Sequence, residues 1–221
     1  MVRQIEGNAP PGRAGRTARN DAAILDAARE VFLEDPKAPI AAVAERAGVG
    51  MSALYRRYAG KDDLLRRLCH DGLRRFIGEA EAAAADLDGW TALAGFLERV
   101  VASDVHSLTV RLAGTFTPTA EMRQDAERSA ELAAGLVERA HAGGRLRADV
   151  VVDDLGLVLE GCAAIRVPDP VRTGELRRRH LALLLAGMAS DHAAPLPGPA
   201  PRPGELDWRW RSHRADPHEG L

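Results

Sequence analysis

Cysteine is nearly absent from this chain of 221 residues, and the two present, Cys69 and Cys162, are too few for a disulfide framework. Neither sits in a CxxC pair or in a cysteine and histidine cluster with zinc-ligand spacing, so both read as reduced, buried small side chains, with no metal and no cofactor expected. Long hydrophobic runs are missing as well. No stretch of about 18 uncharged apolar residues occurs, and the first residues carry charges instead of an apolar core. That pattern argues against a membrane span and a secretory signal, and the expectation is a cytoplasmic protein. Catalytic signatures are also lacking: there is no GxSxG, no GxxxxGK[ST], no GxGxxG after a strand and no HExxH, and the seven histidines form no ligand pair of useful spacing. An enzyme is therefore not expected.

Net charge is small, with 30 basic against 32 acidic side chains giving −2, and a near-neutral total speaks against nucleic acid as a partner only if the charge is evenly spread. It is not. Residues 1–70 hold 12 basic and 9 acidic side chains, a net of +3, and the remaining 151 hold 18 and 23, a net of −5. A mildly basic head on an acidic body is an asymmetry that can point to nucleic acid.

What is present is helical periodicity, and the expected fold is all-α with about nine helices. Residues 1–19, rich in Pro, Gly and Arg, read as a flexible basic arm. From Asn20 or Asp21 as cap, Ile24, Ala27, Ala28, Val31 and Phe32 recur at helical spacing until Asp35, Pro36 and Pro39 stop them. Ile40 to Ala47 is a short helix closed by Gly48, and a second short helix follows in Met51 to Tyr58. Gly60 then opens a helix running to about Ala85. Later starts are read at Asp88, Val105, Thr117 with Pro118, Asp153 and Thr173. Val150 to Val152 reads as strand, too short for a sheet. Residues 193–221 hold six of the thirteen prolines and read as an extended tail whose Trp208 to Arg211 suits docking on the protein or stacking on bases.

A short helix, a glycine turn and a second short helix form a helix-turn-helix, which braces one helix on the DNA backbone and lays the other in the major groove. The chain resembles the N-terminal domain of tetracycline-repressor (TetR) family transcriptional regulators. The resemblance rests on Ala47-Gly48-Val49, on Leu54-Tyr55-Arg56-Arg57-Tyr58 and on Lys61-Asp62-Asp63-Leu64-Leu65, with Ile24 to Phe32 like the family's first helix. It is specific over residues 20–66. It implies that Tyr55, Arg57 and Lys61 hold phosphates, and that Gly50, Met51, Ser52 and Arg56 face base edges, where Arg56 can fork onto a guanine. Two departures stand out: no Ser or Thr precedes the second helix, and Gly50 replaces the usual Ser cap of the reading helix.

For residues 67–192 the resemblance implies a helical effector-binding and dimerisation domain, with a small-molecule pocket expected among Trp90, Phe96, His106, Arg111, Phe116 and His141. The apolar residues Leu155, Val158, Leu159, Cys162, Leu181, Leu184, Leu185 and Met188 support a homodimer interface; the other reading is that they close the core of a single chain. The expected function is a DNA-binding transcriptional regulator, a repressor released from a palindromic double-stranded operator by an unknown small molecule. The alternative is an all-α ligand-binding or enzymatic bundle in which the helix-turn-helix is only scaffold.

Overall fold

The computed structural model describes residues 13–189 and 194–206, with side chains from residue 19 onward. Among the described residues it is all-helical, with nine helices and one isolated β-bridge, Leu146 to Ala189. Val150 to Val152 forms no strand. The chain divides into two compact units between Leu64 and Leu65.

The first unit contains α1 (Arg13–Glu34), α2 (Ile40–Arg46), α3 (Met51–Tyr55) and the start of α4 (Lys61–Ala84). Ile24, Ala27, Ala28, Val31 and Phe32 are all buried, as their spacing requires of one helix face. Helix α1 begins seven residues before Asn20, inside the stretch read as a flexible arm. The reason is local: between Arg13 and Asn20 the chain has no proline, and arginine and alanine are good helix formers. Asp21 is therefore an interior helix residue, not a cap, and its carboxylate is available to side chains from elsewhere in the unit. Residues 1–12 lie outside the described residues.

Helix α1 stops where Asp35 Oδ1 accepts the Lys37 amide at 2.8 Å, and neither α2 nor α3 has a side-chain cap. Gly48 adopts φ +65°, the left-handed conformation that ends α2 and turns the chain toward α3.

The second unit holds the rest of α4 and α5 (Gly89–Ala102), α6 (Val105–Leu112), α7 (Ala120–Ala142), α8 (Asp154–Ala164) and α9 (Pro170–Met188). Helix α5 starts as read, with Asp88 accepting the Thr91 amide. Helix α7 is capped by Thr119, two residues after the expected Thr117, and α9 starts at Pro170 behind an Asp169 cap, three residues before the expected Thr173. A proline suits that first position because its missing N–H would be unsatisfied there anyway. Gly89 lets α5 touch α7: a Cβ at that position would strike the Arg139 carbonyl. Phe96, fully buried, meets Phe76 edge-on at 4.9 Å.

Of the eight residues expected at a dimer interface, six are buried in this unit's own core and two lie partly buried at its edge. Leu155, Val158, Cys162, Leu181, Leu185 and Met188 are at most 7% exposed, and Leu159 and Leu184 pack against the same cluster. Apolar content alone does not separate a core face from an interface face. The apolar side chains that α8 and α9 do leave in solvent are Leu157, 49% exposed, and Leu183, 64% exposed, with Val171 at the start of α9.

Residues 194–206 also depart from a free tail, because they are tied to this unit. Arg147 makes two 2.8 Å bonds to Asp149 and a third, of 2.7 Å, to the Ala194 carbonyl, while Asp149 accepts the Leu196 amide and Asp153 the Gly204 amide. The Arg147 guanidinium, seconded by that amide, holds the Asp149 carboxyl well below the usual carboxylate range. A depressed carboxyl contributes its stability above the ordinary Asp value and loses it only as pH falls through the lowered one, so the tie persists at neutral pH. Trp208 to Arg211 lie outside the described residues.

Candidate nucleic-acid interface

Helix α3 is five residues long, too short to be stable alone, so its place is set by what it buries. Leu54 and Tyr58 supply that anchor, at 0% and 6% exposure. With Leu54 inward, the opposite face turns outward. Ser52, Tyr55 and Arg56 are exposed, Gly50 is exposed at the cap, and Met51 is half-buried. Among the described residues, the Tyr55 hydroxyl and the Arg56 guanidinium have no hydrogen-bond or ion-pair partner. A phenol hydroxyl and a guanidinium left facing water on a five-residue helix give hydrogen-bond donors for phosphate oxygens or base edges. Nothing crowds Gly50, whose added Cβ would come no closer than 4.0 Å to Ser52 Oγ, so the position has room for a larger cap.

Two residues expected to grip phosphates are engaged inside the unit. Arg57 pairs with Asp21 of α1 at 3.0 Å, and the Tyr58 hydroxyl donates to the same carboxylate at 2.8 Å. This tie joins the end of α3 to α1, and the hydrogen bond to Asp21 raises the proton affinity of Arg57 further. Its side chain is still 39% exposed, so part of the guanidinium faces water.

Lys61 is engaged more closely still. Its ammonium donates to the Pro36 carbonyl at 2.9 Å and the Ala38 carbonyl at 2.8 Å, and lies 5.2 Å from the centre of the Phe32 ring. The α1–α2 loop contains two prolines, which have no amide to offer, and the lysine supplies the missing donors. Two of its three protons are thereby directed at protein. Lys61→Ala should cost the first unit about 2 kcal/mol, the range for hydrogen bonds to a charged group, and lower its melting temperature. The salt dependence of DNA binding should keep its slope in that variant, as expected of an ammonium already bonded to two carbonyls; a slope flatter by about one unit would assign Lys61 to phosphate instead.

In the second unit, the six side chains expected in a pocket do not converge. Phe96 and Phe116 are core, at 0% and 1% exposure. Arg145 lies over the Trp90 ring at 5.7 Å, His141 Nε2 is 2.9 Å from the Val150 carbonyl, and Arg111 is on the surface. Of the six, only His106 lines a cavity of about 220 Å³ in this unit, together with Gly72, Leu73 and Phe76 of α4, Thr109 of α6, Leu159 of α8 and Leu206. Helical spacing from His106 reaches Thr109 and Val110. No sequence pattern points to Leu206, which sits in the Pro-rich tail.

Residues 24–68 match the family described as "Bacterial regulatory proteins, tetR family". The HTH-type transcriptional repressor LfrR of Mycolicibacterium smegmatis is 35% identical over 99 residues, 43% of this chain and 49% of that protein, so the match spans about half of the relative's length. Among solved structures, the ketosteroid transcriptional regulator KstR2 of Mycobacterium tuberculosis aligns over 86% of this chain and 98% of its own, with TM-score 0.59 and 14% identity. The TetR-like regulator LfrR, in complex with proflavine, aligns over 76% and 97%, with TM-score 0.51 and 21% identity. At those identities the likeness speaks for the fold.

Proposed function

The chain belongs to the tetR family of bacterial regulatory proteins through residues 24–68, and from that premise we propose that it is a sequence-specific, double-stranded-DNA-binding transcriptional regulator in the cytoplasm, acting as a homodimeric repressor that a small molecule releases from its operator. The observation that carries the reading is the outward face of α3. The side chains of Ser52, Tyr55 and Arg56 stand in solvent without partners among the described residues, on a helix that Leu54 and Tyr58 hold in place. In this reading Tyr55 holds a phosphate and Arg56 reads a base. Arg57 and Lys61 position α3 and the α1–α2 loop, and Arg57 retains exposure for a phosphate.

The relative named as a repressor supports the sign of regulation, and the proflavine complex of that regulator supports a small-molecule effector. Helix α4 suits transmission of the effector's signal. Its first residues belong to the DNA-binding unit and its Gly72, Leu73 and Phe76 line the cavity. A ligand preferring one position of α4 would shift the population toward the form that does not hold the operator. Selection of bound duplexes from random DNA, followed by a mobility-shift assay with the recovered sequence, tests the reading. A (pseudo)palindromic site with half-sites one helical turn apart is the expected result.

A twofold partner is proposed at the apolar side chains α8 and α9 leave exposed. Replacing Leu157 and Leu183 together by arginine should raise the dimer dissociation constant at least about tenfold in sedimentation, the effect of losing a little over 1 kcal/mol of interface. An unchanged constant would place the partner elsewhere.

A further inference from the structure

Resting on the effector-site reading above, we infer that the cavity beside α6 is a binding site for a small, mostly apolar, non-anionic ligand whose hydroxyl or carbonyl pairs with His106, and that Leu206 is its removable wall. His106 is 4% exposed, yet neither Nδ1 nor Nε2 has a hydrogen-bond partner. The Val100 carbonyl favours its protonated form slightly but lies outside hydrogen-bonding geometry of either nitrogen. An orphaned buried imidazole is costly, and a ligand group completing that bond recovers the cost.

Burial pushes the His106 proton affinity down, against the pull of nearby Asp104, so the ring is neutral and presents one donor and one acceptor. A ligand hydroxyl can pair with either, donating to the bare nitrogen or accepting from the N–H. No lysine or arginine lines the cavity, and Glu160 does, which disfavours an anion. At about 220 Å³ the space is smaller than the ~300–1,000 Å³ typical of drug-sized sites and suits a ligand of one or two rings.

Leu206 enters the wall because Gly156 of α8 has no side chain. An alanine Cβ there would lie 2.7 Å from Leu206 Cδ1. Among the described residues, the segment bearing Leu206 forms no helix or strand, and its bonds to the rest of the unit include those of the Ala194 carbonyl, the Leu196 amide and the Gly204 amide. An irregular strap outside the helices opens locally at low cost compared with the helical core, so it can clear the site without unfolding the unit.

The test uses the full chain without DNA and three probes of one shape: naphthalene, 2-naphthol and 2-naphthoate, followed by their fluorescence. Wild type should bind 2-naphthol about tenfold or more tighter than naphthalene, as expected when a buried polar group is otherwise left unpaired, and 2-naphthoate weakest. His106→Leu should bring the first two to near equality, and His106→Gln, which keeps a hydrogen-bonding group, should restore part of the preference. Leu206→Ala, or Gly156→Ala displacing Leu206, should speed 2-naphthol association about tenfold in stopped flow. No binding by any probe, no preference for the hydroxyl, a preference unchanged in His106→Leu, or unaltered association rates would each overturn the proposal. All these readouts are independent of operator binding. Binding as described with no effect of 2-naphthol on the operator complex would uphold the site and count against the release reading alone.

Discussion

Replacing Leu54 with aspartate is expected to abolish duplex-DNA binding while the second unit stays folded. Helix α3 has five residues and no side-chain cap, so almost nothing but tertiary packing holds it. Leu54 is its one fully buried side chain. Removing a buried leucine costs about 2–5 kcal/mol, and burying a carboxylate in its place adds a desolvation penalty of several more. Against the ~5–15 kcal/mol that holds a typical domain, the first unit should unfold. Because the chain divides into two compact units at Leu64, the loss should appear as a missing fraction of helical signal and of one melting step, with affinity down more than about 100-fold. Retained operator binding would show that α3 is not the reading element.

Arg56→Ala should lose affinity without losing stability, and that contrast separates contact from scaffold. The side chain is exposed and has no protein partner, so its truncation leaves the fold's own bonds in place. A bidentate arginine to guanine is worth about 1–3 kcal/mol, and a twofold dimer carries two, so the loss should reach about 2–6 kcal/mol on the preferred operator. On duplexes changed at that base pair the loss should be far smaller. Tyr55→Ala should instead weaken binding to all duplexes alike, as a phosphate contact does. A uniform loss on Arg56→Ala would reassign that residue to the backbone. Unchanged binding by both variants would empty the α3 face of its role.

The reading helix was legible because its evidence is local. Gly48 ends α2, the Leu54 and Tyr58 spacing selects the buried face, and Tyr55 and Arg56 then fall outward by geometry. What escaped depends on partners far along the chain. Lys61 stands at the start of a helix, where a cation is disfavoured by the helix dipole, and a phosphate was one way to explain it. The carbonyls that receive it belong to residues 36 and 38, in a loop whose shape the sequence does not reveal. Asp21 reads as a cap because Asn and Asp cap helices, and only the earlier start of α1 turns it into the acceptor for Arg57 and Tyr58.

In the second unit, Leu155 to Met188 were apolar enough for either a core or an interface, and period alone does not choose between them. The structure spends them on the core and leaves Leu157 and Leu183 outside. Prolines mark residues 194–206 as irregular, which is correct, but irregular chain still docks when an Arg147–Asp149 pair offers it bonds.

The central claim is that this chain binds duplex DNA specifically through α3. It is tested most directly by titrating wild-type protein against the duplex selected from random DNA, by fluorescence anisotropy, at salt from about 50 to about 200 mM. The account predicts tight binding to the selected sequence, weaker binding to a scrambled one, and a steep fall of affinity with salt. Absence of salt-sensitive binding to any duplex, with the protein fully folded, would contradict it and leave an all-helical bundle whose helix-turn-helix is only scaffold.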